Sequence, residues 1–182
     1  MMVNVLIRMH KGRDILFKRC ITSVFNQTFK DYRIIVSFDD PDCFQLIEKY
    51  SVDYCRVFKQ VELGETYYNL YCNDLKNMVT DGWFFYLDSD DYLSSDDSLE
   101  RISKHLDENK YKAVICQMSR SFGLKKPSNE QIELHQVISG KIGMPCIFVH
   151  HSIKNIVNFN EKSNADFLYI QKVSSLFNKK VS

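Results

Sequence analysis

Glycine and proline are scarce in this 182-residue chain, six and three residues respectively, which excludes collagen-like, low-complexity and disordered classes. It lacks the phosphate-cradling loops Gly-x-x-x-x-Gly-Lys and Gly-x-Gly-x-x-Gly, so P-loop nucleotide hydrolysis and Rossmann-type hydride transfer are disfavoured. No two of the six cysteines (Cys20, Cys43, Cys55, Cys72, Cys116, Cys146) form a Cys-x-x-Cys pair, which removes structural zinc and thioredoxin-like redox chemistry and leaves reduced, mostly buried thiols. Neither sign of charge dominates: 24 Lys plus Arg against 23 Asp plus Glu, net +1, gives no global field for nucleic acid or an anionic membrane. No apolar run approaches the length of a membrane span, and Val3–Ile7 is too short for a signal-peptide core, so a cytoplasmic protein without a membrane span is expected.

What remains is a chain that is 45% hydrophobic and 26% charged, long enough for one domain with a sizeable core and short for two. The β-branched run Val3–Ile7 predicts a buried strand ending near Arg8. From Asp14, placed as an N-cap, the residues Leu16, Phe17, Cys20, Ile21, Val24 and Phe25 recur with a 3.6-residue period and predict one apolar helix face. Tyr32–Phe38 predicts a second strand, stopped by Asp39-Asp40-Pro41-Asp42. A short helix through Phe44–Tyr50, a short strand over Tyr54–Phe58 and a turn at Leu63-Gly64-Glu65 follow. Tyr67, Leu70, Tyr71, Leu75, Met78 and Val79 predict a further helix, closed by Thr80-Asp81-Gly82. The most apolar run, Trp83–Leu87, then delivers Asp88-Ser89-Asp90-Asp91. Ser95–Glu108 predicts a helix, Ala113–Cys116 and Ile147–Val149 strands, Lys125–Gln136 a polar excursion and Asp166–Phe177 a last helix. Alternating strands and helices imply a mostly parallel central sheet sandwiched by helices, an α/β fold whose ligand site lies beyond the carboxyl ends of the strands.

Three polar clusters fall at such ends: Arg8–Lys11, Asp39-Asp40 and Asp88–Asp91. Asp88 and Asp90, two apart, project to one side of an extended segment, where a divalent cation could bridge them to a phosphate. An EF-hand reading fails, because Asp88–Leu93 has neither an acid at the fifth place nor Gly at the sixth. Adjacent His150 and His151 point to opposite faces of an extended chain and read as structural or surface residues. Tyr67, Tyr68 and Tyr71 suit either a helix face in the core or stacking on a base or sugar.

Val3–Lys11, Ser23–Phe29 with its Asn26-Gln27-Thr28, Ile34–Asp40 and Phe85–Asp91 together resemble, in order and spacing, the family 2 glycosyltransferases of the GT-A fold. The resemblance is clear over about residues 3–93 and weaker beyond, and Tyr68–Asn73 before Gly82-Trp83 is similar to small glycosyltransferase-like members. It implies a single GT-A domain over 1–182, with a nucleotide-binding half at about 1–93 and a reduced acceptor-side half at about 94–182. It further implies a nucleotide-sugar donor, a saccharide or other hydroxyl acceptor, Mn2+ or Mg2+ as cofactor, and inversion at the anomeric carbon. By the same resemblance Arg8, His10, Tyr68 and Asn69 line the nucleotide-sugar site, and Asp39 or Asp40 meets the base, usually uracil. Asn73 matches an Asn that follows an Arg in many members, although Cys72 stands in the Arg position here. Asp88-Ser89-Asp90 maps onto the Asp-x-Asp motif, with Asp90 the metal ligand and Asp88 nearer the ribose or sharing the metal. Val157–Glu161 followed by Ala165-Asp166 is similar to the segment that supplies the catalytic base, which assigns that role to Asp166; the position equally suits an acid in a helix's first turn. The little chain beyond Asp166 predicts either a small acceptor or an acceptor site completed by a second copy or another subunit. The rival readings are a silent sugar-nucleotide-binding domain and, with less support, a metal-dependent nucleotidyl- or phosphotransferase.

Overall fold

The computed structural model describes residues 1–57, 67–119, 124–134, 136–160 and 162–176. A six-stranded sheet runs in the order β3-β2-β1-β4-β8-β5, built from β1 (Val3–Met9), β2 (Tyr32–Phe38), β3 (Asp53–Arg56), β4 (Trp83–Tyr86), β5 (Ala113–Ile115) and β8 (Ile147–His150). β1 to β4 are parallel, and β8 is antiparallel to both β4 and β5. The antiparallel strand β8, between β4 and β5, departs from nothing in the apolar pattern, because a short apolar run says how deeply a strand is buried and not which way it runs. The helices are α1 (Asp14–Phe25), α2 (Pro41–Ile47), α3 (Tyr71–Asn77), α4 (Ser98–Ser103), α5 (Asn129–Glu133) and α6 (Ala165–Leu176). Within the polar excursion, β7 (Lys125–Lys126) pairs with β6 (Met118–Ser119) in a short antiparallel ladder, and a capping box of Ser128 and Gln131 starts α5.

Several boundaries differ from the sequence reading. β1 extends through Met9, where it pairs with Phe38. Arg13 takes the N-cap position of α1, so Asp14 is its first residue and favours the positive helix end instead of capping it. Phe25 leaves the core face, 40% exposed, and stacks on Tyr50. The helix from Ser95 shortens to Ser98–Ser103, and a 3-10 turn (Tyr67–Leu70) precedes α3. Phe58, Leu63-Gly64-Glu65, Glu161, Phe177 and the side chain of Tyr67 lie outside the described residues.

The period-2 alternation of strands divides the core in two. On one face Val3, Val5, Ile7 and Met9 of β1, with Trp83, Phe85 and Leu87, pack against Phe17, Cys20, Ile21 and Val24 of α1. On the other, Leu6, Phe84 and Tyr86 meet Cys72 and Leu75 of α3 and Tyr169, Ile170 and Val173 of α6. Arg8 follows Asn4 and Leu6 on the second face, and Asp88 follows Phe84 and Tyr86, so the same alternation turns both toward α3 and α6. The chain leaves β1 for β2 and β3 on one side, then returns to place β4 on the other. The crevice between the carboxyl ends of β1 and β4 is therefore the topological switch point, where open α/β sheets bind ligands.

Gly82 anchors the start of β4 at φ +70°, a conformation that costs glycine little, and a Cβ there would lie 2.3 Å from the Met2 carbonyl oxygen. The buried Gln27 is a second anchor: its amide donates to the Ser23 and Ser95 carbonyls at 3.0 and 2.8 Å and accepts from the Leu99 N–H at 2.8 Å. The middle residue of the Asn-Gln-Thr segment thus ties the end of α1 to the start of α4. His150 is buried against Trp83, with Nδ1 2.8 Å from Ser152 Oγ and Nε2 2.9 Å from a Glu108 carboxylate oxygen, a structural placement. All six cysteines are free. No helix among the described residues is long and apolar enough to cross a membrane.

Candidate active site

Arg8 sits at the switch point with its side chain 8% exposed. Its Nε and Nη2 donate to Asp88 Oδ1 at 3.1 and 2.5 Å, and Nη1 reaches Asn69 Oδ1 at 3.4 Å. Burial works against the guanidinium charge, the negative charges of Asp88 and Asp166 favour it, and the Arg8 pKa stands above its ordinary value. The Arg8 guanidinium also lies 5.7 Å from the Tyr68 ring centre, and His10 meets that ring edge-on at 6.0 Å, so Tyr68 and His10 form an aromatic shelf beside the charge. Burial, reinforced by Arg8, lowers the His10 pKa, which keeps the imidazole neutral and suited to packing on a flat ring.

Asp166, the second residue of α6, enters this polar centre from the opposite wall. Burial raises its pKa; the positive charge of Arg8 opposes that rise and the negative charge of Asp88 adds to it. Asp166 Oδ1 is buried without a hydrogen-bond partner among the described residues. A buried carboxylate oxygen without a partner costs about 1–3 kcal/mol or more, and it is available to a proton brought by a ligand. Cys72 lies fully buried in the same centre with its thiol pushed up to about 12, so it contributes bulk and no thiolate, and its carbonyl accepts from the Tyr86 hydroxyl at 2.8 Å.

The remaining acids stand on the rim. Asp39 accepts from the Tyr71 hydroxyl at 3.0 Å. Asp40 caps α2 through the Asp42 N–H at 2.9 Å and pairs with Lys11 at 3.3 Å, while Lys11 also reaches Asp42 at 2.6 Å. Asp90 is half exposed, with its carboxylate 3.1 Å from Arg13 Nη1 and its carbonyl 2.6 Å from Arg19 Nη2; Arg19 in turn covers the Tyr92 ring at 4.5 Å. Nothing in the sequence pairs Arg13 with Asp90, since the contact spans 77 residues. The structure therefore groups Arg8, Asn69, Asp88 and Asp166 at the centre, with His10 and Tyr68 beside them and Asp39, Asp40 and Asp90 around the mouth. Asn73 stands apart, its amide engaged by the main chain of Phe159.

Among the described residues no three His, Cys, Asp or Glu side chains converge as a ready-made metal cage. Magnesium and manganese need none, because they usually take one or two protein carboxylates and complete their shell with water and substrate phosphates. The half-exposed Asp90 fits that donor set, whereas Asp88 Oδ1 is already bonded to Arg8.

Comparison with solved structures returns the same architecture. Over 100% of its length the chain superposes on the crystal structure of Staphylococcus aureus TarS 1-349 with a TM-score of 0.78 and 17% identity, spanning 58% of that chain. The same TarS fragment in complex with UDP-GlcNAc gives 0.76 at 16% identity, with this chain spanning 56% of it. The mannosyltransferase PcManGT of Pyrobaculum calidifontis, in complex with GDP-Man and Mn2+, gives 0.71 at 12% identity over 99% of this chain and 54% of its own. No curated protein matches the sequence. The chain thus spans little more than half of these neighbours, and at such identities the likeness speaks for the GT-A fold. The sequence profile of glycosyl transferase family 2 matches residues 16–159, most of the chain, and with the sheet and its switch-point crevice it makes the chain a member of glycosyl transferase family 2.

Proposed function

We propose that this chain is an inverting, metal-dependent glycosyltransferase that moves a sugar from a nucleoside-diphosphate sugar, with UDP as the nucleotide, to an acceptor hydroxyl. The observation that carries the reading is the pairing of an unpartnered, buried Asp166 oxygen with the Arg8–Asp88 pair at one switch-point crevice. The donor's base lies against His10 and Tyr68, within reach of Asp39 or Asp40, and its ribose lies toward Asp88. Asp90, alone or with Asp88, would hold Mn2+ or Mg2+, which would supply positive charge to offset that on the departing diphosphate. Arg8 contributes fixed positive charge at the same end of the sheet, already in place before the leaving group develops its own.

Asp166 accepts the acceptor's hydroxyl proton as the acceptor oxygen bonds to the anomeric carbon and the carbon–oxygen bond to the diphosphate breaks. One displacement from the face opposite the leaving group inverts that carbon. A pKa raised by burial suits Asp166 to this task, because a stronger base than an ordinary surface carboxylate takes the proton more readily at neutral pH. The complexes of TarS with UDP-GlcNAc and of PcManGT with GDP-Man and Mn2+ support the donor class and the metal.

The test is nucleoside diphosphate release from UDP-, GDP- and TDP-sugars with manganese, comparing the native chain with Asp90→Ala and Asp166→Asn. Release from one donor, lost by about 10²–10⁴-fold in Asp166→Asn and restored in neither variant by excess donor, is the expected result. Metal-dependent UDP binding without release from any donor would instead favour a silent binding domain.

A further inference from the structure

Asn69, Asn73 and Lys76 fall four and three residues apart, one stripe along the 3-10 turn and α3. Every one of them bonds to the same stretch of chain. Lys76, 1% exposed, donates to the Lys154 carbonyl at 2.9 Å, the Val157 carbonyl at 2.5 Å and Asn158 Oδ1 at 2.6 Å. Asn73 donates to the Phe159 carbonyl at 3.1 Å and accepts from the Phe159 N–H at 2.9 Å, a two-bond clasp of the kind a neighbouring strand would make. Asn69 donates to the Lys162 carbonyl at 2.9 Å. Residues 157–160 are in neither helix nor strand, so their main-chain groups have no ladder of their own, and α3 supplies it.

The clasped stretch leads directly into α6, whose first turn carries Asp166. The Ala165 N–H bonds back to the Lys162 carbonyl at 3.0 Å, and Phe159 stacks on Tyr169 of α6 with ring centres 4.2 Å apart. Asn69 closes the circuit, since its Oδ1 also accepts from Arg8. The ties from the 3-10 turn and α3 to Lys154, Val157–Phe159 and Lys162 thus hold the chain that leads to Asp166.

We propose that Asn69, Asn73 and Lys76 are positioning residues for Asp166, a main-chain clasp that sets the base against the donor site. This rests on the reading of Asp166 as the base. A merely structural tie would show in stability alone, whereas a positioning tie shows in the chemical step, where a displacement of about 1 Å is worth about 10²-fold.

The experiment compares Asn73→Ala, Lys76→Met and Asp166→Asn, and each of the first two combined with the third, in the full chain with manganese and the UDP-, GDP- or TDP-sugar from which the native chain releases nucleoside diphosphate. Asn73→Ala and Lys76→Met lower kcat by about 10- to 100-fold, leave the donor KM within about twofold, and cost nothing further when Asp166 is already Asn. Wild-type kcat in folded Asn73→Ala and Lys76→Met, or a loss that persists in full on the Asp166→Asn background, overturns the proposal. Should Asn73→Ala not fold, Asn73→Asp, which keeps the acceptor for the Phe159 N–H and loses the donor to its carbonyl, must show the same kcat-against-KM split in smaller measure. Full turnover by Asp166→Asn would instead remove the base assignment, a different outcome from an inactive Asp166→Asn beside a fully active Asn73→Ala.

Discussion

The two walls of the crevice are held by different chemistry. On the wall proposed for the donor, side chain meets side chain across ionic pairs: Arg8 with Asp88, Arg13 with Asp90, Lys11 with Asp40 and Asp42. On the wall proposed for the acceptor, side chains grip main chain: Asn73 on Phe159, Asn69 on Lys162, Lys76 on Lys154 and Val157. An ionic pair is exchangeable, because a diphosphate or a cation can take over either partner and leave the charges satisfied. A main-chain clasp has no such substitute, since breaking it orphans backbone groups that water reaches poorly. The wall proposed for the donor can thus be rearranged by a charged ligand, whereas the wall proposed for the acceptor stays where it is.

Arg8 is the exception that sharpens this contrast, a side-chain pair buried deeply enough to behave like a clasp. Replacing it by Met strands Asp88 in a partly buried site and takes away the charge that restrains the rise of the Asp166 pKa. Arg8→Met is expected to cost about 3–5 kcal/mol of stability, read from denaturant midpoints, and to move the acid limb of the kcat profile to higher pH. Asp88→Asn, which removes the charge that raises the Asp166 pKa, moves that limb to lower pH. The sign for folding is fixed by the same shift. A carboxyl whose folded pKa is raised is at its least costly while protonated, so its contribution is lost as pH rises through the folded value. Asp166→Asn should therefore be more stable than the native chain at neutral pH and show no advantage once Asp166 is protonated.

Gln27 tests the main-chain half of the comparison away from the crevice. Gln27→Ala removes three hydrogen bonds and leaves the Leu99 N–H and the Ser95 carbonyl without those partners. The expected loss is about 2–3 kcal/mol, measured as a shift in Tm or denaturant midpoint that does not change between low and high salt. A salt-sensitive loss would mean that the α1–α4 junction is held by charge instead.

Much of this arrangement is legible in the amino-acid order, and the division follows physical range. Strands β1, β2 and β4 announce themselves because their apolar runs are short, β-branched or aromatic, and cut off by charged residues: Arg8 ends the run of β1, Asp39-Asp40 that of β2 and Asp88 that of β4. The crevice follows from alternation plus the rule for parallel sheets, which puts Arg8, Asp39 and Asp88 at one end before any contact is known. Lys76 carries no comparable signal: a polar residue in a helical pattern reads as solvent-facing until the segment it grips, up to 82 residues away, is in place, and Gln27, though part of a recognisable segment, shows its grip on Ser95, 68 residues away, only in the fold. The same holds for Phe25, whose period places it on the core face while Tyr50 offers a stacking partner outside it. Charge pairing is the least legible, since Asp90 could be satisfied by any of several nearby cations and only the fold selects Arg13.

That selection gives the smallest and most diagnostic effect. Arg13 and Asp90 are each about half exposed, so their pair contributes under about 1 kcal/mol to folding and fades in salt. Arg13→Gln should leave Tm nearly unchanged, yet it frees the Asp90 carboxylate from a cation that competes with a divalent metal for the same oxygen. Mn2+ binding, followed by loss of the free-ion signal in electron paramagnetic resonance, is expected to tighten by about twofold to fivefold, the equivalent of that sub-kilocalorie pair. The gain should shrink as salt screens the pair in the native chain, and Asp90→Ala should abolish it. If Arg13→Gln binds Mn2+ no better than the native chain while Asp90→Ala still loses the ion, the Arg13–Asp90 contact is a passive surface pair and the donor wall is exchangeable only where Arg8 and Lys11 make it so.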